Sequence, residues 1–82
     1  MSYALLQQNK DVMTKYKMYQ NVMIHPQPAR KDNKLFGTIV GFALNCMGEV
    51  ILEIKIAVEG PVGGCRVEQY HPLSEMNHIE AL

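Results

Sequence analysis

Val50-Ile51-Leu52-Glu53-Ile54-Lys55-Ile56-Ala57-Val58-Glu59 is the stretch that decides the fold class. Val50, Leu52, Ile54, Ile56 and Val58 fall on one side of an extended chain. Ile51, Glu53, Lys55, Ala57 and Glu59 fall on the other. Side chains alternate across a strand with a period of two, so this is a strand with one face in a core and one toward solvent. Ile51 is the apolar exception on the solvent side. With Glu53 and Lys55 it marks a candidate interface.

Upstream, Asn45-Cys46-Met47-Gly48 reads as a tight turn in which Gly48 supplies a positive φ at low cost. Leu35–Leu44 before it is a second strand, with Gly37 and Gly41 expected on one face, where they permit bending. Ala29–Lys34 is a charged loop. It follows His25-Pro26-Gln27-Pro28, where missing amide donors stop a ladder. The first strand is expected from Lys15, with Tyr16, Met18, Val22 and Ile24 on its core face. Residues 2–14 read as a short helix or a loose arm, with Ser2 as cap and Leu5, Leu6, Val12 and Met13 as an incomplete apolar stripe.

Downstream, Gly60–Gly64 is a loop and Cys65–Tyr70 a fourth strand. His71–Met76 fits one tight helical turn opened by proline, and Asn77–Leu82 closes with a fifth strand. The expectation is an N-terminal helix or arm over 1–14 and one all-β domain over 15–82. Four bent strands, a single turn and a last apolar strand resemble the five-stranded Src-homology-3-like barrels. Peptide-binding members of that group use Trp and clustered Tyr; this chain has no Trp, which argues against polyproline ligands.

At 82 residues and 48% hydrophobic composition, the chain suits one small domain with one core and excludes wholesale disorder. No apolar run approaches the roughly 20 residues of a membrane helix, and the start lacks a basic-then-apolar leader pattern, so a soluble, cytoplasmic protein is expected. Cys46 and Cys65 form no CxxC pair and are expected as reduced, partly buried thiols.

Lys+Arg 8 balance Asp+Glu 8, but unevenly along the chain. Residues 1–41 carry six basic and two acidic side chains, and residues 42–82 the reverse. The split suits pairing across a sheet, pairing between subunits, or a basic strip for an anionic ligand. The densest cluster is Arg30, Lys31 and Lys34, near Tyr16, Tyr19 and Phe36.

Catalytic and metal constellations are absent from the pattern. His71 and His78, with Glu75 and Cys65, lack the tight spacings of a zinc site, so no metal is expected. Neither cysteine has a neighbouring His and acid, and Gly60-Pro61-Val62-Gly63-Gly64 lacks the Lys-Ser/Thr of a phosphate loop. No cofactor is called for.

Gly37-Thr38-Ile39-Val40-Gly41-Phe42, followed by Val67-Glu68-Gln69-Tyr70 and a proline, resembles the plasmid-borne type II dihydrofolate reductases. Those are short barrel chains with a Gly-x-Ile-Val-Gly-Trp strand and a Val-Gln-Ile-Tyr-Pro segment. The resemblance implies a tetramer with one central pore. Tyr70 matches the pore Tyr, Glu68 stands where Gln stands, Gln69 where Ile stands, and Arg30 or Lys31 lies near the mouth lysine. Phe42 replaces the Trp. Four Glu68 carboxylates around one pore would repel each other and the anionic folate and NADPH.

Three functions follow as expectations. The leading one is a non-enzymatic binding module, a protein-interaction or homo-oligomeric accessory protein, such as mobile elements carry. Its candidate binding residues are Arg30, Lys31, Lys34, Glu68, Gln69 and Tyr70, with Ile51, Glu53 and Lys55 as interface. The second is a nucleic-acid binder using Lys15, Lys17, Arg30, Lys31 and Lys34, with salt-sensitive affinity. The third is the reductase, in which Tyr70 would matter.

Overall fold

In the computed structural model, which describes residues 3–26, 34–57, 63–74 and 76–82, the alternation at 50–57 builds a strand of a single antiparallel sheet. In chain order the elements are α1 (Tyr3–Lys15), β1 (Asn21–Pro26), β2 (Leu35–Leu44), β3 (Val50–Ala57), β4 (Cys65–Tyr70) and β5 (Asn77–Ala81). The strands lie in the order β4-β3-β2-β1-β5, every neighbouring pair antiparallel. The sheet is open, with β4 and β5 as its edges. Ser2, Arg30, Lys31, Val58, Glu59, Glu75 and most of the 60–64 loop lie outside the described residues.

Leu52, Ile54 and Ile56 are buried as the period of two demands, and Ile51, Glu53 and Lys55 stand on the opposite face. The core joins them to Val22 and Ile24 of β1, Ile39 of β2, Ile79 of β5, and Val12 and Tyr16. Fully burying a branched aliphatic side chain stabilises by roughly 1.5–3 kcal/mol, so these few residues dominate the fold's favourable energy. Tyr16 is buried with its phenol donating to the Ile79 carbonyl at 2.9 Å, which satisfies both polar groups.

The first strand starts later than its sequence suggests. Lys15 closes α1, Met18 is exposed, and Tyr19 turns the chain with φ 62. A non-glycine residue is uncommon in that region. Here it is held from both sides: Tyr19 N–H donates to the Ile39 carbonyl at 2.7 Å, and Ile39 N–H to the Gln20 carbonyl at 3.0 Å.

Gly37 and Gly41 do not share a face. Gly37 pairs with Ile56 and Ile39 with Ile54, but the register then shifts and Gly41 pairs with Glu53. That β-bulge inserts one residue, so Gly37 stays on the core face while Gly41 moves to the outer one. A Cβ at Gly37 would press on Ile54 Cγ2 and come within 2.9 Å of the Lys55 carbonyl. Gly37 is therefore a close-approach position.

α1 docks through polar side chains more than apolar ones. Leu6 and Met13 are exposed, and Val12 is the one fully buried residue of the described helix. Asn9 Nδ2 donates to the Gly48 carbonyl at 2.9 Å, while its Oδ1 accepts from Val50 N–H at 3.0 Å. One side-chain amide thus satisfies two backbone groups where β3 begins. Gly48 has φ 76, the turn geometry expected of it. Cys46 and Cys65 are free and exposed rather than partly buried, because one sits in that turn and the other on the outer face of an edge strand. Among the described residues no helix is long and apolar enough to cross a membrane.

Candidate functional site

The outer face of the sheet is uncovered by any described element. Register places Asn21 opposite Thr38, Thr38 opposite Lys55, and Lys55 opposite Val67, one row across four strands. Around this row runs a groove of about 580 Å3 whose walls include Tyr19, Phe36, Thr38, Lys55, Cys65 and Leu82. Tyr19 is 75% exposed, Phe36 62% and Leu82 58%, and Val67 at the end of the row is 55% exposed. Large apolar side chains gathered on one face mark an interaction surface more often than scattered ones do. Among the described residues, Lys55 is the one charged side chain in the groove's walls. Sequence reading found Lys55 and both aromatics; Leu82 carried no signal, because only the fifth strand's pairing brings it beside Asn21.

The candidate interface residues Ile51, Glu53 and Lys55 all lie on this outer face. Gln69 joins them, opposite Glu53 with its amide 3.5 Å from the carboxylate. Glu68 and Tyr70 belong to the other face. Tyr70 is opposite Leu52 and packs on the core, Glu68 is opposite Ile54, and Arg66 is opposite Ile56. The three form a chain: the Tyr70 phenol donates to Glu68 Oε2 at 2.6 Å, and Arg66 Nε lies 2.9 Å from Glu68 Oε1. Partial burial, then the hydrogen bond and charge of Glu68, push the Tyr70 pKa up to about 12, so the phenol remains a donor at neutral pH. The structure therefore separates the sequence-predicted Glu68-Gln69-Tyr70 run into two surfaces.

Lys34 is exposed at the residue before β2. Arg30 and Lys31 fall outside the described residues. Lys15 is exposed, with its ammonium 5.3 Å from the centre of the Tyr16 ring. On the outer side of β1 and β5, His25 is paired with His78 and lies 3.0 Å from Glu80. That hydrogen bond, foremost, holds the Glu80 carboxyl below its ordinary value. No group of three metal-ligating side chains occurs among the described residues.

A second polar cluster ties three segments together. Glu49 accepts from Asn45 Nδ2 at 3.1 Å and Gln8 Nε2 at 3.0 Å, and lies 3.1 Å from His71 Nε2. Leu73 N–H donates to His71 Nδ1, leaving Nε2 as the donor toward Glu49. The expected turn is here as well: Ser74 N–H bonds the His71 carbonyl at 3.1 Å. Hydrogen bonds from Asn45, Gln8 and His71 hold the Glu49 carboxyl below its ordinary value of 4.5. A depressed carboxylate stabilises the fold fully above pH 4.5, and that contribution is lost as pH falls through the lowered folded value. Glu49→Gln is accordingly expected to flatten the acid limb of Tm measured from pH 6 to pH 3. Parallel limbs for wild type and variant would show that Glu49 carries none of it.

Comparison of the chain with protein-family models, with curated proteins and with solved structures finds no match.

Proposed function

We propose that this protein is a non-enzymatic interaction module that self-associates, built on a Src-homology-3-like barrel. The meander order, the bulged β2 that pairs on both sides, and the short turn into β5 support that scaffold. The observation that carries the functional reading is the open sheet, whose outer face gathers Tyr19, Phe36 and Leu82 around one groove and exposes Val67 on the neighbouring edge strand. Residues of this kind anchor protein interfaces, with Phe and Tyr enriched and charge depleted at their centres. Two exposed free thiols suit a reducing, cytoplasmic setting.

Light scattering behind a sizing column, over a range of protein concentrations, tests the reading. A mass of two or more times 9.3 kDa supports it. A 9.3 kDa species at every concentration overturns it. Running the series at low and high salt also reports whether charge governs the association, since exposed pairs are screened.

A further inference from the structure

Both edges of the open sheet offer backbone groups, and they differ in what occupies them. Leu82 N–H bonds the Asn21 carbonyl, so Asn21, Met23 and His25 face β5 while Val22 and Ile24 face β2. Ile39 exchanges both its groups with Tyr19 and Gln20 on the β1 side, so Thr38, one residue away, turns its groups to β3. Its partner Lys55 then faces β2 and leaves Val67, opposite on the other side, unbonded to β3. The N–H and C=O of Cys65, Val67 and Gln69 thus point out of the sheet. On β5 the same alternation turns Ile79 outward, but its carbonyl is already taken by the buried Tyr16 phenol. Edge β5 is therefore partly occupied at its centre, whereas among the described residues no element pairs with edge β4.

A second copy joining β4 antiparallel about a two-fold axis must keep both outer faces on one side. The axis therefore passes through a single residue, not between two. Centred on Arg66, the register sets Arg66 against Arg66. Centred on Glu68, it sets Glu68 against Glu68. Centred on Val67, it sets each Arg66 opposite the other copy's Glu68 and the two exposed valines against each other. Arg66 and Glu68 already touch within the chain at 2.9 Å, so this register closes an alternating ring of four charges. They meet at the more closely spaced, non-hydrogen-bonded positions, where cross-strand charge pairs act most strongly. Like charges in the other two registers are destabilising.

We propose that a second copy of this chain pairs with β4, with Val67 on the two-fold axis, to make one continuous sheet. The inference rests on the self-association reading above and specifies its surface. Three variants test it by solution mass, with far-UV circular dichroism reporting the fold. Val67→Pro removes an N–H that points out of the sheet, so the β3 ladder survives while the mass falls by half. Arg66→Glu and Glu68→Lys each place like charges opposite one another, and each alone is expected at half the wild-type mass. Mixed in equal amounts, one variant is acidic and the other basic at both positions, so both cross-strand pairs are oppositely charged and the wild-type mass is recovered. That mixing result decides the matter if Val67→Pro fails to fold. A mixture that stays at half mass, or an oligomer unmoved by all three substitutions, overturns β4 pairing but leaves self-association standing. A wild-type monomer at every concentration overturns both.

Discussion

Ile54→Ala is expected to lower the free energy of unfolding by about 2–5 kcal/mol, the usual cost of truncating a buried isoleucine. Ile54 is 0% exposed and sits opposite Ile39, with the Gly37 backbone packed against its Cγ2 methyl. Small domains are stable by only about 5–15 kcal/mol, so the loss removes a large share of what this one has. Urea titration gives the number directly, and heating should show a fall of roughly 4–8 °C per kcal/mol in a domain of this size. A loss below 1 kcal/mol would mean that the core is not centred on this residue.

Gly37→Ala is expected to cost about 1–3 kcal/mol, because its new methyl overpacks against Ile54 and the Lys55 carbonyl. Gly41→Ala supplies the contrast. The three atoms nearest its Cβ would all belong to the Glu53 side chain, the closest being Oε1 at 2.6 Å, and a flexible carboxylate can swing aside. Restricting the unfolded chain then leaves that variant neutral or more stable by up to about 1 kcal/mol. Equal losses at the two glycines would argue against the bulge. Combining Gly37→Ala with Ile54→Ala removes the methyl that clashes, so the double variant should lose less than the two singles together. Coupled neighbours depart from additivity in this way.

The bulge also marks where reading the residues reaches its limit. A clean alternation such as 50–57 fixes faces because every second residue is apolar, and strand spans at 35–44 and 65–70 follow from glycine, proline and charge punctuation. Two glycines four apart look identical whether or not a residue is inserted between them. Only the pairing of Gly41 with Glu53 reveals the insertion. On β4, Val67 is the one aliphatic residue, and alternation alone would turn it inward. Register with β3 overrides that preference, since Tyr70 must face Leu52 to cover the core, and parity then carries Glu68 and Arg66 inward and Val67 out. The candidate site was legible as residue types, with Lys55, Tyr19 and Phe36 all singled out. Its assembly was not, because the β1–β5 pairing that delivers Leu82 joins the first strand to the last across all the intervening strands of the sequence.

Asn9 sets a timetable. A helix of 13 residues is marginal in water without a surface to lie on. The groups its amide grips, the Gly48 carbonyl and the Val50 N–H, lie about 40 positions further along. At roughly 5–20 residues per second of synthesis, the helix waits seconds for its berth to be made. The earliest described element to leave the ribosome is thus among the last to be secured. Amide exchange pulsed during refolding should find α1 protected only once the β2–β3 hairpin has closed.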